Sequence, residues 1–169
     1  VSAGKGGECE LAMNRIDIVE MIPKHHQAII DLACLLPQWF DEKARERYIP
    51  LDLKLHRGYV AFSGNRPIGF VTFTSKNGTG VISWIGVHPA HHRQGIGRQL
   101  LQTVERTLIS LSVKKVSVET VGWSHPEYPP YEKTRAFYRG MGYGVSKKLE
   151  TGEEVGYTWQ MYEYSKALV

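Results

Sequence analysis

The chain has 169 residues, 42% of them hydrophobic and 22% charged, with a formal net charge of +4. That size and balance fit one domain around one core and exclude a disordered or low-complexity chain. The Lys and Arg residues are scattered, the two cysteines (Cys9 and Cys34) make neither a disulfide framework nor a zinc site, and no signal peptide or bilayer-length apolar run is visible, so we expect a cytoplasmic protein with no nucleic-acid, membrane or metal partner.

Val1 to Ala12 is rich in glycine and small residues and precedes Met13. It reads as an expression scar or linker, so the domain is expected to occupy 13–169. Ile16, Ile18 and Val19 predict a first strand. Pro23 opens a helix through Ala28, Ile29, Leu32, Ala33 and Leu36, which Pro37 ends. Trp39 and Phe40 follow, then a second helical stretch from Asp41 to Tyr48, bounded by Pro50. Tyr59 to Phe62 is a strand, and Ser63-Gly64-Asn65 turns it into another from Ile68 to Thr74. Asn77-Gly78 is a strong hairpin signal and leads into an apolar strand that reaches Val87.

That strand breaks at Pro89. A polar loop follows, then Gly95-Ile96-Gly97, then a helix carrying Leu100, Leu101, Val104 and Leu108. A helix start leaves backbone N–H groups unpartnered and carries partial positive charge, which suits a phosphate or pyrophosphate. Gly95 and Gly97 would let the backbone approach the anion without a Cβ in the way. The run is no dinucleotide fingerprint, because Leu100 stands where the third glycine belongs, and no P-loop is present. A glycine turn that merely joins strand to helix is the remaining alternative. Further on, Val116 to Glu119 alternates like a half-buried strand that Glu119 ends. Pro126, Pro129 and Pro130 predict an irregular loop, and a helix then holds Phe137 and Tyr138 and stops at Gly140 or Gly142. Val145 to Leu149 and Tyr157 to Tyr164 form a last hairpin. The order of elements is that of an α+β domain with a mixed sheet.

His92-Arg93-Gln94-Gly95-Ile96-Gly97 resembles motif A of the GCN5-related N-acetyltransferase (GNAT) superfamily, [QR]-x-x-G-x-[GA], with histidine at the first position. Phe137-Tyr138-Arg139-Gly140-Met141-Gly142-Tyr143 looks like that superfamily's F-Y-x-x-x-G-[FY] segment, at the expected distance downstream. The resemblance implies a single domain with a mostly antiparallel mixed sheet, flanked by helices and splayed at an acetyl-coenzyme A site. It implies transfer of acetyl from acetyl-CoA to an amine of a small molecule or peptide. The alternative is a non-catalytic acyl-CoA sensor or interaction module on the same fold. Acceptor identity is not readable, and the state of assembly, homodimer included, is left open.

Carried over by resemblance, the cofactor would meet Ile85 and Val87 of the strand and Arg93, Gln94, Gly95, Ile96, Gly97 and Arg98 of the loop and helix start. Tyr131 stands where many members have asparagine. Val87 N–H is the best oxyanion donor. Tyr138 would stabilise or protonate the leaving thiolate; packing as an ordinary helix aromatic is the other reading of it. A model phenol has a pKa of about 10 and a thiol about 8.5, so full proton transfer runs uphill by roughly 2 kcal/mol. Glu119 is the candidate base, through water, since a carboxylate near 4.3 lies about six units below an ammonium; a strand-end carboxylate that faces solvent or pairs with a lysine is the other reading of it. His88, His91 and His92 lack an interleaved acidic or cysteine ligand, so a metal site is not expected. Trp123, His125, Tyr128 and Tyr131, with Glu127 and Glu132, would border the acceptor, with Trp39 and Phe40 as the other wall.

Overall fold

The computed structural model describes residues 15–169. The reading of Val1 to Ala12 as a scar or linker lies outside the described residues, as does Met13. Seven strands form one sheet in the order β1-β2-β3-β4-β5-β7-β6. They are β1 (Ile16–Glu20), β2 (Arg57–Ser63), β3 (Arg66–Lys76), β4 (Thr79–Val87), β5 (Lys115–His125), β6 (Gly144–Glu154) and β7 (Tyr157–Ala167). The α-helices are α1 (His26–Cys34), α2 (Ile49–Leu55), α3 (Ile96–Ser110) and α4 (Pro129–Gly140). None of them is long and apolar enough to cross a membrane.

Helices cover both faces of the central strands, which is why β3 is buried from Ile68 to Phe73, Thr72 being its one polar residue there. On one face Ile29, Leu32 and Leu36 of the α1 segment and Ile49 and Leu53 of α2 pack on Val60 and Phe70. On the other, Ile96, Leu100, Leu101, Val104 and Leu108 of α3 join Val71, Phe73, Ile82, Val116, Val118 and Tyr164. The Trp84 indole N–H donates to Asp52 at 2.7 Å and ties β4 to α2.

Every neighbouring pair of strands is antiparallel except β4 with β5. That parallel pairing spans only four residue pairs, from Thr79↔Lys115 to Ile82↔Val118. An irregularity opposite Thr72 and Phe73 places Ser83 as an extra residue in β4 at this point. Bulges bend and twist their strand, and from here β4 and β5 part. The sheet is splayed as the family resemblance implied.

Three expectations need correction. Pro50 does not end the second helical stretch. A π-helical turn (Ala44–Tyr48) precedes it, with Ile49 N–H donating to the Ala44 carbonyl. Pro50 then falls in the first turn of α2, where a missing N–H costs nothing. Glu119 does not end its strand, because β5 continues to His125 by pairing with β7. Pro129 and Pro130 do not extend the loop; they open α4, another first turn that accepts proline.

A second irregularity lies between Val121 and Trp123 in β5. Gly122 sits there beneath the Tyr162 ring, and a Cβ on it would fall on the ring's Cγ, far inside contact distance. Gly122→Ala should therefore displace Tyr162 or flatten the bulge and cost about 1–3 kcal/mol, as overpacking does. Urea denaturation measures this; an unchanged midpoint would mean that Tyr162 moves aside freely.

Candidate active site

The site is built where β4 and β5 separate. His88 N–H donates to the Ile68 carbonyl at 2.8 Å, so this end of β4 still pairs with β3. Strand alternation turns the Ile85 and Val87 backbone groups the other way, into the gap. Their side chains are half-buried against the α3 cluster. The Val87 carbonyl does not stay free, because the His92 Nε2 lies 2.7 Å from it. The Val87 N–H has no such partner and remains available at the edge.

Histidines brace the loop that follows. The Ala90 N–H donates to His88 Nδ1 at 3.1 Å, and His91 Nδ1 lies 3.4 Å from Gln94 Oε1. Burial, then the charges of His91, Arg66 and His92, hold the His88 ring below its usual value, which keeps it neutral and able to accept. This bracing was not legible in the sequence, where the three histidines read as a cluster not expected to bind metal and His92 as the first position of the glycine-loop motif. Among the described residues, no group of three or more His, Cys, Asp or Glu side chains is placed to hold a metal ion.

The loop delivers the chain to α3 with Arg93 at φ 63° and Gly95 at φ 78°. Gly95 supplies a left-handed conformation. Gly97 serves a different end: a Cβ there would meet Phe137 Cε2 at 3.4 Å and Val87 Cγ2 at 3.8 Å. These are ordinary contact distances, so the start of α3 lies close to α4 and to the end of β4 with room for a Cβ but for little beyond it. The first helical bond runs from Gln99 N–H to the Gly95 carbonyl at 3.0 Å. The N–H groups of Ile96, Gly97 and Arg98 precede it and have no partner inside the helix. Arg93, Gln94 and Arg98 are exposed, whereas the Ile96 side chain is in the core and offers only its backbone.

Tyr138, on α4, belongs to the core cluster beneath α3. It is 3% exposed and its ring contacts Phe137, Tyr143 and Tyr164 at centroid distances of 5.2, 5.7 and 6.5 Å. Burial alone drives its phenol well above the ordinary tyrosine value. Tyr131 shares its helix face, about two turns earlier. Burial, then Tyr157, Tyr128 and Asp41, push the Tyr131 phenol up to about 12. Arg135, on the same face and buried, donates to the Val121 carbonyl at 3.1 Å and pairs with Glu127, pinning α4 to β5. Spacing along α4 was the one signal that could have found it.

Glu119 is the first residue of β5 past its last pair with β4. Its neighbour Val118 points into the core beside Tyr138, so the exposed Glu119 leaves from the opposite sheet face. The two catalytic candidates are thus on different faces and communicate only through the gap.

The two walls expected around the acceptor do meet. Trp39 Nε1 donates to the Pro130 carbonyl at 3.1 Å, and the Tyr128 hydroxyl donates to the Gln38 carbonyl at 3.0 Å. The Trp39 ring also abuts His92 at 5.7 Å. Phe40 is not part of that wall; it is buried against Phe70 and Trp84.

The acetyltransferase (GNAT) family profile matches residues 26–143. No curated protein sequence matches the chain. Solved structures share the fold at low identity. A GNAT-family protein from Desulfovibrio desulfuricans superposes with a TM-score of 0.77 at 17% identity, covering 92% of this chain and 100% of that one. The ribosomal-protein-S18-alanine N-acetyltransferase of Escherichia coli gives 0.71 at 13%, covering 91% and 94%. An aminoglycoside 6'-N-acetyltransferase complexed with coenzyme A gives 0.71 at 15%, covering 90% and 97%. The glycine-loop helix, the parting strands and the segment ending at Tyr143 all fall inside the profile match, and the chain belongs to the GNAT acetyltransferase family.

Proposed function

We propose that this protein transfers the acetyl group of acetyl-CoA to an amine of a small molecule or peptide. The observation that carries the reading is the meeting at Gly97. The anion-ready start of α3, the donor edge of β4 at Val87 and the Phe137–Tyr138 step of α4 come together there. Free backbone N–H groups with an open approach fit a pyrophosphate, so Gln94 to Arg98 would hold that part of acetyl-CoA, with Arg93 at the rim. Ile85, Val87 and Tyr131 would border its arm.

Acetyl-CoA supplies the activated thioester. The chain's own groups then answer three needs. Val87 N–H, fixed in direction by β3, donates to the oxyanion that develops on the carbonyl. Glu119 takes the amine proton through water from the far face of the sheet. Tyr138 faces the departing sulfur. Because burial raises its phenol above the usual value, full proton transfer is steeper than from a free phenol, so its part is hydrogen-bond donation to the thiolate.

Tyr138→Phe retains the ring and its packing and removes only the hydroxyl. The single-turnover rate should fall by about 10²-fold or more, the scale of losing one hydrogen-bond donor to a developing anion, with coenzyme A affinity unchanged. An unchanged chemical step would remove Tyr138 from the mechanism and favour a non-catalytic binder. Gly97→Val should push the Phe137 ring and the end of β4 from the helix start. Calorimetry should then read coenzyme A binding at least about tenfold weaker, a change of 1.4 kcal/mol; equal affinity would displace the ligand from this loop. Glu119→Gln should reduce kcat/KM strongly at neutral pH and less at pH values where the amine deprotonates unaided. A loss independent of pH would deny Glu119 the role of base.

A further inference from the structure

The sheet consists of two slabs. One is β1 to β4 with α3 lying on it: Tyr59 and Thr107 share a hydrogen bond of 2.7 Å, and Ile96 and Leu100 lie over Gly69. The other is β5, β7 and β6 with α4, held by Arg135 on the Val121 carbonyl. Along the sheet they are joined by the four pairs of β4 with β5. The apolar core beneath α3 is shared by both, since Val116, Val118 and Tyr164 pack within it, and one polar link crosses as well. Glu105 of α3 is 8% exposed. Its Oε1 accepts the Tyr143 hydroxyl at 2.9 Å and its Oε2 accepts Lys166 Nζ at 2.9 Å. Both donors belong to the second slab, and Lys166 Nζ also lies 5.7 Å from the Tyr143 ring centre.

The location of this knot matters. Lys166 stands opposite Val116 in β7–β5, and Val116 stands beside Gly80 in β5–β4. The knot therefore lies within the joined stretch, two pairs before the strands part after Ile82 and Val118. A rotation of one slab against the other there is magnified at the open end. Tyr143 is also tied directly to Tyr138: its N–H donates to the Tyr138 carbonyl at 3.0 Å, and the two rings touch.

We propose that Glu105 is a positioning residue: by holding Tyr143 and Lys166 it sets how far the two slabs diverge, and so the span from the α3 start to Tyr138. The proposal rests on the acetyl-transfer reading, in which one ligand bridges that span. A buried carboxylate holding two donors is directional in a way that an apolar contact is not. Removing one partner of a buried charged pair costs stability, so stability is measured beside binding, and Tyr143→Phe, which leaves the Glu105–Lys166 pair in place, reads the geometry most directly.

The test separates span from fold. Coenzyme A would touch both slabs, whereas its nucleotide half, 3'-phosphoadenosine 5'-diphosphate, reaches only the first. Calorimetry should measure both ligands on the parent, Glu105→Leu, Tyr143→Phe and Glu105→Gln. Glu105→Leu and Tyr143→Phe should bind coenzyme A at least about fivefold more weakly, the loss of a hydrogen bond to a charged group. Their affinity for the nucleotide half should stay at the parent value. Glu105→Gln retains an acceptor for the Tyr143 hydroxyl and should recover part of the loss. Equal weakening of both ligands would mean that Glu105 only supports the fold and would overturn the proposal; so would no weakening of either. Should Glu105→Leu fail to fold, Tyr143→Phe, which lacks a single hydroxyl, decides by the same comparison. A parent that binds no coenzyme A overturns the acetyl-transfer reading, and this proposal with it. A parent that binds it, with the variants unchanged, overturns this proposal alone.

Discussion

Strands β4 and β5 run parallel for four residue pairs and then leave each other, and the rest of the site depends on that separation. Parting strands expose backbone donors and acceptors that a continuous sheet would have paired, and such groups are costly when buried unpaired. The chain resolves this unevenly. Val87's carbonyl is taken by the His92 ring and Val121's by the Arg135 guanidinium. The N–H on the β4 edge keeps its freedom. A slot with a capped carbonyl on each side and a free donor at Val87 favours a ligand that brings oxygen and negative charge.

The same separation weakens the sheet at its middle, and the remaining contacts concentrate there. Bulges at Ser83 and Gly122 bend the two strands on either side of the split. Above them α3 spans the junction, apolar along most of its inner face and charged at Glu105. Below, Trp39 and Tyr128 join the segment after α1 to the start of α4 by two hydrogen bonds to backbone carbonyls. The gap is thus backed within the joined stretch by a buried carboxylate and bounded across its mouth by aromatic side chains. Its width is a property of long-range side-chain contacts more than of the strand ladder.

This explains what the sequence discloses and what it withholds. Local chemistry was legible. Asn77-Gly78 takes positive φ at both residues, as its hairpin requires, and Gly95 likewise. The α3 stripe from Ile96 to Leu108 is buried as its periodicity demanded. Prolines misled at Pro50, Pro129 and Pro130 because each falls in a first helical turn, and a boundary reading cannot tell that from a terminator. The end of β5 was missed because its last residues are held by β7, a partner far along the chain. Of the candidate site, the glycine loop and Tyr138 stood out through motif and position. Glu105, Arg135 and the His92 brace did not, because each acquires its meaning from a partner that only the fold supplies. Glu105 and Lys166 are 61 residues apart in sequence.

The placement of Tyr138 fits the thiolate role better than a solvent-facing phenol would. Its ring is enclosed by Phe137, Tyr143 and Tyr164, and burial is the sole cause of its raised pKa. No carboxylate or neighbouring hydroxyl competes for the proton. The phenol therefore stays neutral throughout the range in which an amine becomes nucleophilic. It is a poorer acid than a free tyrosine, so it does not surrender its proton to a thiolate of ordinary basicity. It remains a strong donor, because a hydrogen bond to a developing anion is strengthened where water is excluded. Such a group stabilises charge as the carbon–sulfur bond breaks and needs no reprotonation before the next turnover. On the proposed reading the sulfur leaves as thiolate and takes its proton from solvent after release, while the amine proton passes through water towards the opposite face of the sheet, where Glu119 is exposed.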